Sequence, residues 1–206
     1  MRSATKNVAA WLGMAAGIAG LEHGYFEILQ GNTKPQGVMF ASMGPPCDPE
    51  KIWNACEPAM SILPNFLISG ILTVLIGLAV LVWSARFIQF KHGGHVLILL
   101  SLVLLFVGGG FFPPVIGIVA GVTGLSINKT IHEKQLGGFT LLMARLWPWP
   151  LLILIFWFFG QFVIGYFFND FLSGIMGGVV FFILGMLPVC MICANSYDRL
   201  AVKEMK

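Results

Sequence analysis

Three stretches, 60–87, 147–168 and 171–194, are built almost wholly of apolar side chains, and they limit what this chain can fold into more than anything else in it. A helix needs about 20 predominantly apolar residues, rising 1.5 Å each, to cross the hydrocarbon of a bilayer. Each stretch is long enough. Two further runs, 8–29 and 94–127, are apolar too, although the first carries Glu22, His23 and Glu27 near its end. The 206 residues are 57% hydrophobic and only 10% charged, against about 25% charged in a soluble domain. The expectation is a polytopic membrane protein with one domain over 1–206. The net charge of +3 is no argument for a nucleic-acid partner, because the charges sort by membrane side; membrane lipids are the expected surroundings.

Arg2 and Lys6 ahead of a small-residue run imitate a secretory signal, but the apolar pattern continues past Gly20 to Leu29. The run therefore reads as an uncleaved first span. The 94–127 run holds "GGGFFPP" at its middle, where glycines weaken a helix and Pro113 and Pro114 remove backbone donors. It is either one kinked span or a hairpin of two short ones. Charge separates these. With two spans, ten of the twelve Lys and Arg fall on the side of both termini, with Lys34 and Lys51 opposite. With one span, the better orientation splits them eight to four. Cytoplasmic loops carry the Lys and Arg excess. The reading is thus an all-α integral membrane bundle of six transmembrane helices, about 8–29, 60–87, 94–110, 113–127, 147–168 and 171–194. Both termini are placed in the cytoplasm of a prokaryote, with a long outer loop, 31–59, between helices 1 and 2.

Smaller signals follow that plan. Trp83 and the "WPWP" at 147–150 lie near the inner interface, where aromatic belts form, and 139–146 reads as a surface segment before the fifth span. Small residues recur four apart at Gly13 and Gly17, Ala15 and Ala19, Gly117 and Gly121, and Gly174 and Gly178. That spacing lets helix backbones approach closely, within this bundle or against a partner membrane subunit. Cys190 and Cys193, in apolar helix near the inner end, read as structural thiols. Cys47 and Cys56 sit in the outer loop on the oxidising side, where a disulfide is the first expectation, worth roughly 2–3 kcal/mol by chain entropy.

Six of the nine carboxylates fall at the outer pole, among them Glu22 and Glu27. His23 and Glu27 are four apart on one helical face, and Glu22 is rotated by about 100° from His23. Ionisable groups inside a span are costly and usually face the bundle interior or a wet cavity. Asn65 and Ser69 on the second span, Gln161 on the fifth and Asp170 at the outer turn are the polar groups available to join them. Three readings stand open. The charged groups snorkel to the interface; or Glu22, His23, Glu27, Asn65, Gln161 and Asp170 line a small-molecule pocket under the outer loop; or His23 is a general base oriented by Glu27. A metal is disfavoured, since zinc sites want more nitrogen or sulfur ligands than one histidine. No cofactor is expected, and no P-loop pattern occurs, so an ATP-driven step would need another chain.

"GLEHGYFEILQG" together with "LVLLFVGGGFFPPVIGI" resembles a group of small uncharacterised prokaryotic membrane proteins over about residues 8–127, and this resemblance implies no activity. The six-span plan with a small-residue first helix is also similar to the substrate-capturing subunits of energy-coupling-factor vitamin transporters. There the first helix faces the partner and outer loops close over the substrate. The functional expectation is a non-enzymatic protein that binds or transports a small solute at an outer-leaflet polar pocket. The alternatives are an accessory subunit of a larger membrane complex and a membrane-embedded enzyme using His23 and Glu27.

Overall fold

The computed structural model describes residues 2–41, 53–131 and 137–204. Seven helices occur among them: α1 (Ser3–Leu29), α2 (Phe66–Arg86), α3 (Gly93–Val107), α4 (Phe112–Gly124), α5 (Gly138–Leu146), α6 (Trp149–Phe167) and α7 (Asn169–Glu204). Two short strands that the apolar pattern does not announce, β1 (Met39–Ala41) and β2 (Pro58–Met60), pair antiparallel in the loop between α1 and α2.

Local chemistry sets most of the boundaries. The Asn65 side chain accepts from the Ile68 amide and caps α2, so residues 60–65 belong to β2 and a turn rather than to the second span. Gly108, at φ +119°, ends α3 in a left-handed cap. Pro113 and Pro114 then occupy the first turn of α4, where a missing amide hydrogen costs nothing. The "GGGFFPP" run is therefore a tight reversal between two helices.

The α2 helix, the α5–α6 segment Gly138–Phe167 and α7 are long and apolar enough to cross a membrane. That is three helices where the sequence reading has six. With 15 and 13 residues, α3 and α4 fall short of the roughly 20 that a full crossing takes. Length is no obstacle for α1, with 27 residues, but its glycines and its Glu22, His23 and Glu27 lower its hydropathy. At 36 residues α7 is about 54 Å long, beyond a hydrocarbon layer of about 30 Å, so its polar end continues past the apolar zone.

The first four helices pack backbone to backbone. A Cβ at Gly24 would lie 2.8 Å from the Val74 amide nitrogen, and one at Gly70 would lie 2.7 Å from the Gly24 carbonyl oxygen. Gly17 sits equally close to the Leu81 backbone, and Gly94 meets Gly121 across the α3–α4 pair. The Trp83 indole nitrogen donates to the Gly93 carbonyl at 2.9 Å, tying α2 to the start of α3. Of the small-residue pairs in the sequence, Gly13 with Gly17 and Gly117 with Gly121 serve this packing, whereas Gly174 and Gly178 face open space.

α7 reaches back to hold the start of α1. Arg2 supplies no side-chain cap, and the Asp198 carboxylate takes over, accepting from the Ala4 and Thr5 amides at 3.0 and 2.9 Å and from the Thr5 hydroxyl at 2.6 Å. A carboxylate is favoured there because the first amides of a helix have no intrahelical acceptor and carry its positive dipole end. Arg2 Nη1 donates to Asn195 Oδ1 at 2.8 Å. Cys190 and Cys193 are fully buried, and the Cys193 thiol lies 3.9 Å from the Met143 sulfur. The expected Cys47–Cys56 bridge rests on Cys47, which lies outside the described residues.

Candidate functional site

The polar residues near the end of α1 turn inward. His23 is 5% exposed and Glu27 is 0% exposed. They do not bond each other. The Ser69 hydroxyl of α2 donates to Glu27 Oε2 at 2.6 Å, and Glu27 Oε1 has no hydrogen-bond partner among the described residues. His23 Nε2 lies 3.3 Å from Glu57 Oε2, and His23 Nδ1 is likewise without a partner.

The α3–α4 reversal is what admits two such groups to the interior. Gly108 passes against the Glu27 carboxylate and Gly110 against the His23 ring, so closely that a Cβ at either place would collide. Both glycines also have positive φ, +119° and +74°, a region that side chains with a Cβ rarely adopt. Thr73 of α2 donates to the Val107 carbonyl at 2.8 Å, which fixes the reversal against α2. The run of three glycines in the sequence was the available signal for this contact, but nothing in it said that His23 and Glu27 would be what it meets.

A turn at 53–56 covers the other side of His23. Asn54 Nδ2 donates to Glu22 Oε1 at 3.2 Å, and Glu57 follows directly after the turn to meet His23. Trp53 packs edge-on to Phe162 of α6, ring centroids 6.4 Å apart, and lies against Gly165, where no side chain would fit. This short segment thus joins the C-terminal parts of α1 and α6.

Beneath it lies a cavity of about 130 Å³ between α1 and α4 on one side and α6 and α7 on the other. Glu22, His23, Asn54, Glu57 and Gln161 gather at one end of it, and the rest of its wall among the described residues is apolar, from Ile18 down to Trp11 and Leu187. Ala15 and Ala19 face this cavity, so their small size keeps space open. The Trp157 indole nitrogen, on a residue that also lines it, has no partner among the described residues.

Six residues were expected to line a pocket, and the structure brings Glu22, His23 and Gln161 together there. Glu27 lies one turn further along α1, held by Ser69 and the glycine reversal. Asn65 is occupied in capping α2 and in a bond to Asn32. Asp170 is exposed at the α6–α7 turn, beside Asn169. Sequence reasoning missed Trp53, Asn54 and Glu57 as site residues, because only the folding of the 53–57 segment back over α1 gives them a role. Among the described residues, no three His, Cys, Asp or Glu converge to hold a metal ion. No protein-family model matches this chain, and no curated protein or solved structure matches it either.

Proposed function

We propose that this protein crosses the cytoplasmic membrane six times with both ends inside, and binds or carries a small solute in the cavity under the 53–57 segment. The observation that carries this reading is the cavity's polar end: Glu22 and His23, on an apolar helix, are each met by a partner, Asn54 and Glu57, from the segment that closes it. A polar cluster over a concave apolar wall is the usual form of a ligand site. The grip of Asp198 and Asn195 on the start of α1 supports termini on one side of the membrane, and the Lys and Arg distribution supports that side as the cytoplasmic one.

Native mass spectrometry of the gently extracted protein tests the reading. A discrete extra mass is expected, retained in wild type and lost in Ala15→Phe, which fills the cavity wall. A bare polypeptide under conditions that keep lipids bound overturns it. A second reading, an accessory subunit, is favoured by the α6–α7 face, where Gly174, Gly177, Gly178 and Gly185 open onto nothing and Phe181 is 77% exposed. It predicts instead a species carrying a second polypeptide, removed by Gly178→Leu and kept in Ala15→Phe.

A further inference from the structure

Aromatic rings aside, Gln161 is the one polar side chain that α6 carries between Trp149 and Phe167. A polar group inside an apolar span is costly unless it faces the bundle interior or a cavity. Leu154, Phe158, Gln161 and Gly165 follow one another at spacings of four, three and four residues, which puts them on one helix face. Leu154 is buried and Gly165 lies against Trp53, so that face is the inward one. Gln161 accordingly lines the cavity, half-buried.

Its amide has no hydrogen-bond partner among the described residues. The polar groups around it are engaged with one another: Asn54 donates to Glu22, and His23 pairs with Glu57. The unmet hydrogen-bonding capacity at this end of the cavity therefore includes a whole amide, with one acceptor oxygen and two donor hydrogens. An ammonium group can meet only the oxygen, and a carboxylate only the hydrogens. A hydroxyl both donates and accepts, so it can meet both sides of the amide.

The rest of the wall decides what that hydroxyl is attached to. It is formed by Ala15 and Ala19 of α1 with Leu154 and Phe158 of α6, all apolar. Trp11, Ile18 and Phe159 also line it and are each more than a third exposed, so the apolar length opens onto apolar helix surface. At about 10–15 Å³ for each water-sized group, 130 Å³ holds roughly ten such groups. A small hydrophilic solute would satisfy Gln161 and leave the apolar length unfilled. We infer that the cavity takes a neutral, hydroxyl-bearing amphiphile with one short alkyl chain, the hydroxyl paired with the Gln161 amide and the chain lying along Ala15 and Ala19. The assignment rests on reading this cavity as a binding site.

Trp11, Trp53 and Trp157 line the cavity, so a bromine-bearing chain seated in it quenches their fluorescence. The test titrates the full chain in nanodiscs with ω-bromooctanol and subtracts the quenching that persists in Ala15→Phe as simple partition into lipid. Octanol, octylammonium and octanoate then compete for the bound probe, each corrected for its partition into empty nanodiscs. Octanol is expected to displace it at least about fivefold more tightly than either ion, the ratio for one hydrogen bond. Gln161→Met keeps the length of the side chain and removes the amide. It should weaken ω-bromooctanol by about the same factor and erase the preference among heads. Its Tm should be unchanged or raised, because an unpaired amide has left an apolar helix. A fall in Tm, or a head preference that survives the substitution, overturns Gln161 as the anchor. Equal displacement by the three heads on wild type, or tighter displacement by an ion, overturns the hydroxyl assignment whatever the variant does. An absence of saturable quenching overturns this inference alone if the mass spectrum still holds a discrete ligand lost in Ala15→Phe. With a bare polypeptide in the spectrum, it overturns the proposed function as well.

Discussion

The two ends of the chain use the same residue, glycine, to opposite effect. In α1–α4 the glycines are closed against backbone: Gly24 against Val74, Gly70 against Ile28, Gly94 against Gly121. In α6 and α7, Gly160, Gly174, Gly177, Gly178 and Gly185 have nothing within reach of a Cβ. In the most apolar window of α2, 33% of residues are buried inside the protein, against 17% for α7. Lipid tails are as apolar as leucine, so in a membrane close packing rather than hydrophobic drive holds helices together. The first half has that packing. The second half meets the first through α7 packed on α1, the chain ends and the 53–57 segment, and the cavity lies on the boundary between them.

The largest effect should come from breaking the packed half. Gly24→Leu forces a side chain into backbone that has no room to yield, which costs about 3 kcal/mol or more, whereas Gly178→Leu enters open space. At this chain length the first should lower Tm by about 6–12 °C and the second by less than about 2 °C, read by thermal unfolding in detergent. Similar shifts for both would mean that the two halves do not differ in packing.

A smaller effect sharpens the picture around Glu27. Gly108→Ala carries both the left-handed backbone cost, about 1–2 kcal/mol, and a collision with the Glu27 carboxylate. Gly31→Ala, at φ +71° with nothing nearby, carries only the backbone cost. The first should therefore unfold at a clearly lower temperature, and adding Glu27→Ala to it should cost less than the two single changes summed. Simple additivity would show that Gly108 and Glu27 are not in contact.

The smallest of the three tests how the halves are joined. Asp198→Ala removes the acceptor for the start of α1 and should lower stability by about 1–2 kcal/mol, a typical loss for a helix cap. Thr5→Ala removes one of the three bonds and should cost less. No change in Asp198→Ala would show that α7 does not hold α1 in solution.

Much of this arrangement was legible in advance, for identifiable reasons. Proline and glycine act on their own backbone, so a break at 108–114 and the start of α6 could be read locally, while the sorting of Lys and Arg favoured a reversal over a kink. His23 and Glu27 could be singled out because a charged group within an apolar run is expensive wherever it ends up. The partners were not legible in the same way. Asn65 and Asp170 stood at plausible heights, but Asn65 was drawn into capping its own helix and Asp170 into solvent, choices that local pairing and exposure make. Glu57 and Asn54 looked like loop residues until the loop was folded back onto α1.

What the sequence by itself determined is a helical chain with membrane-crossing segments and a costly cluster of ionisable groups near the end of its first helix, because hydropathy, helix breakers and the cost of burying charge depend on neighbours along the chain. That His23 and Glu27 turn inward was decided by the tertiary structure. Tertiary structure alone decided which carboxylate His23 meets, which glycines are closed, and that Ala15 and Ala19 border a cavity rather than another helix. Those outcomes depend on distances between segments far apart in the chain, and a side chain carries no record of what will be packed across from it.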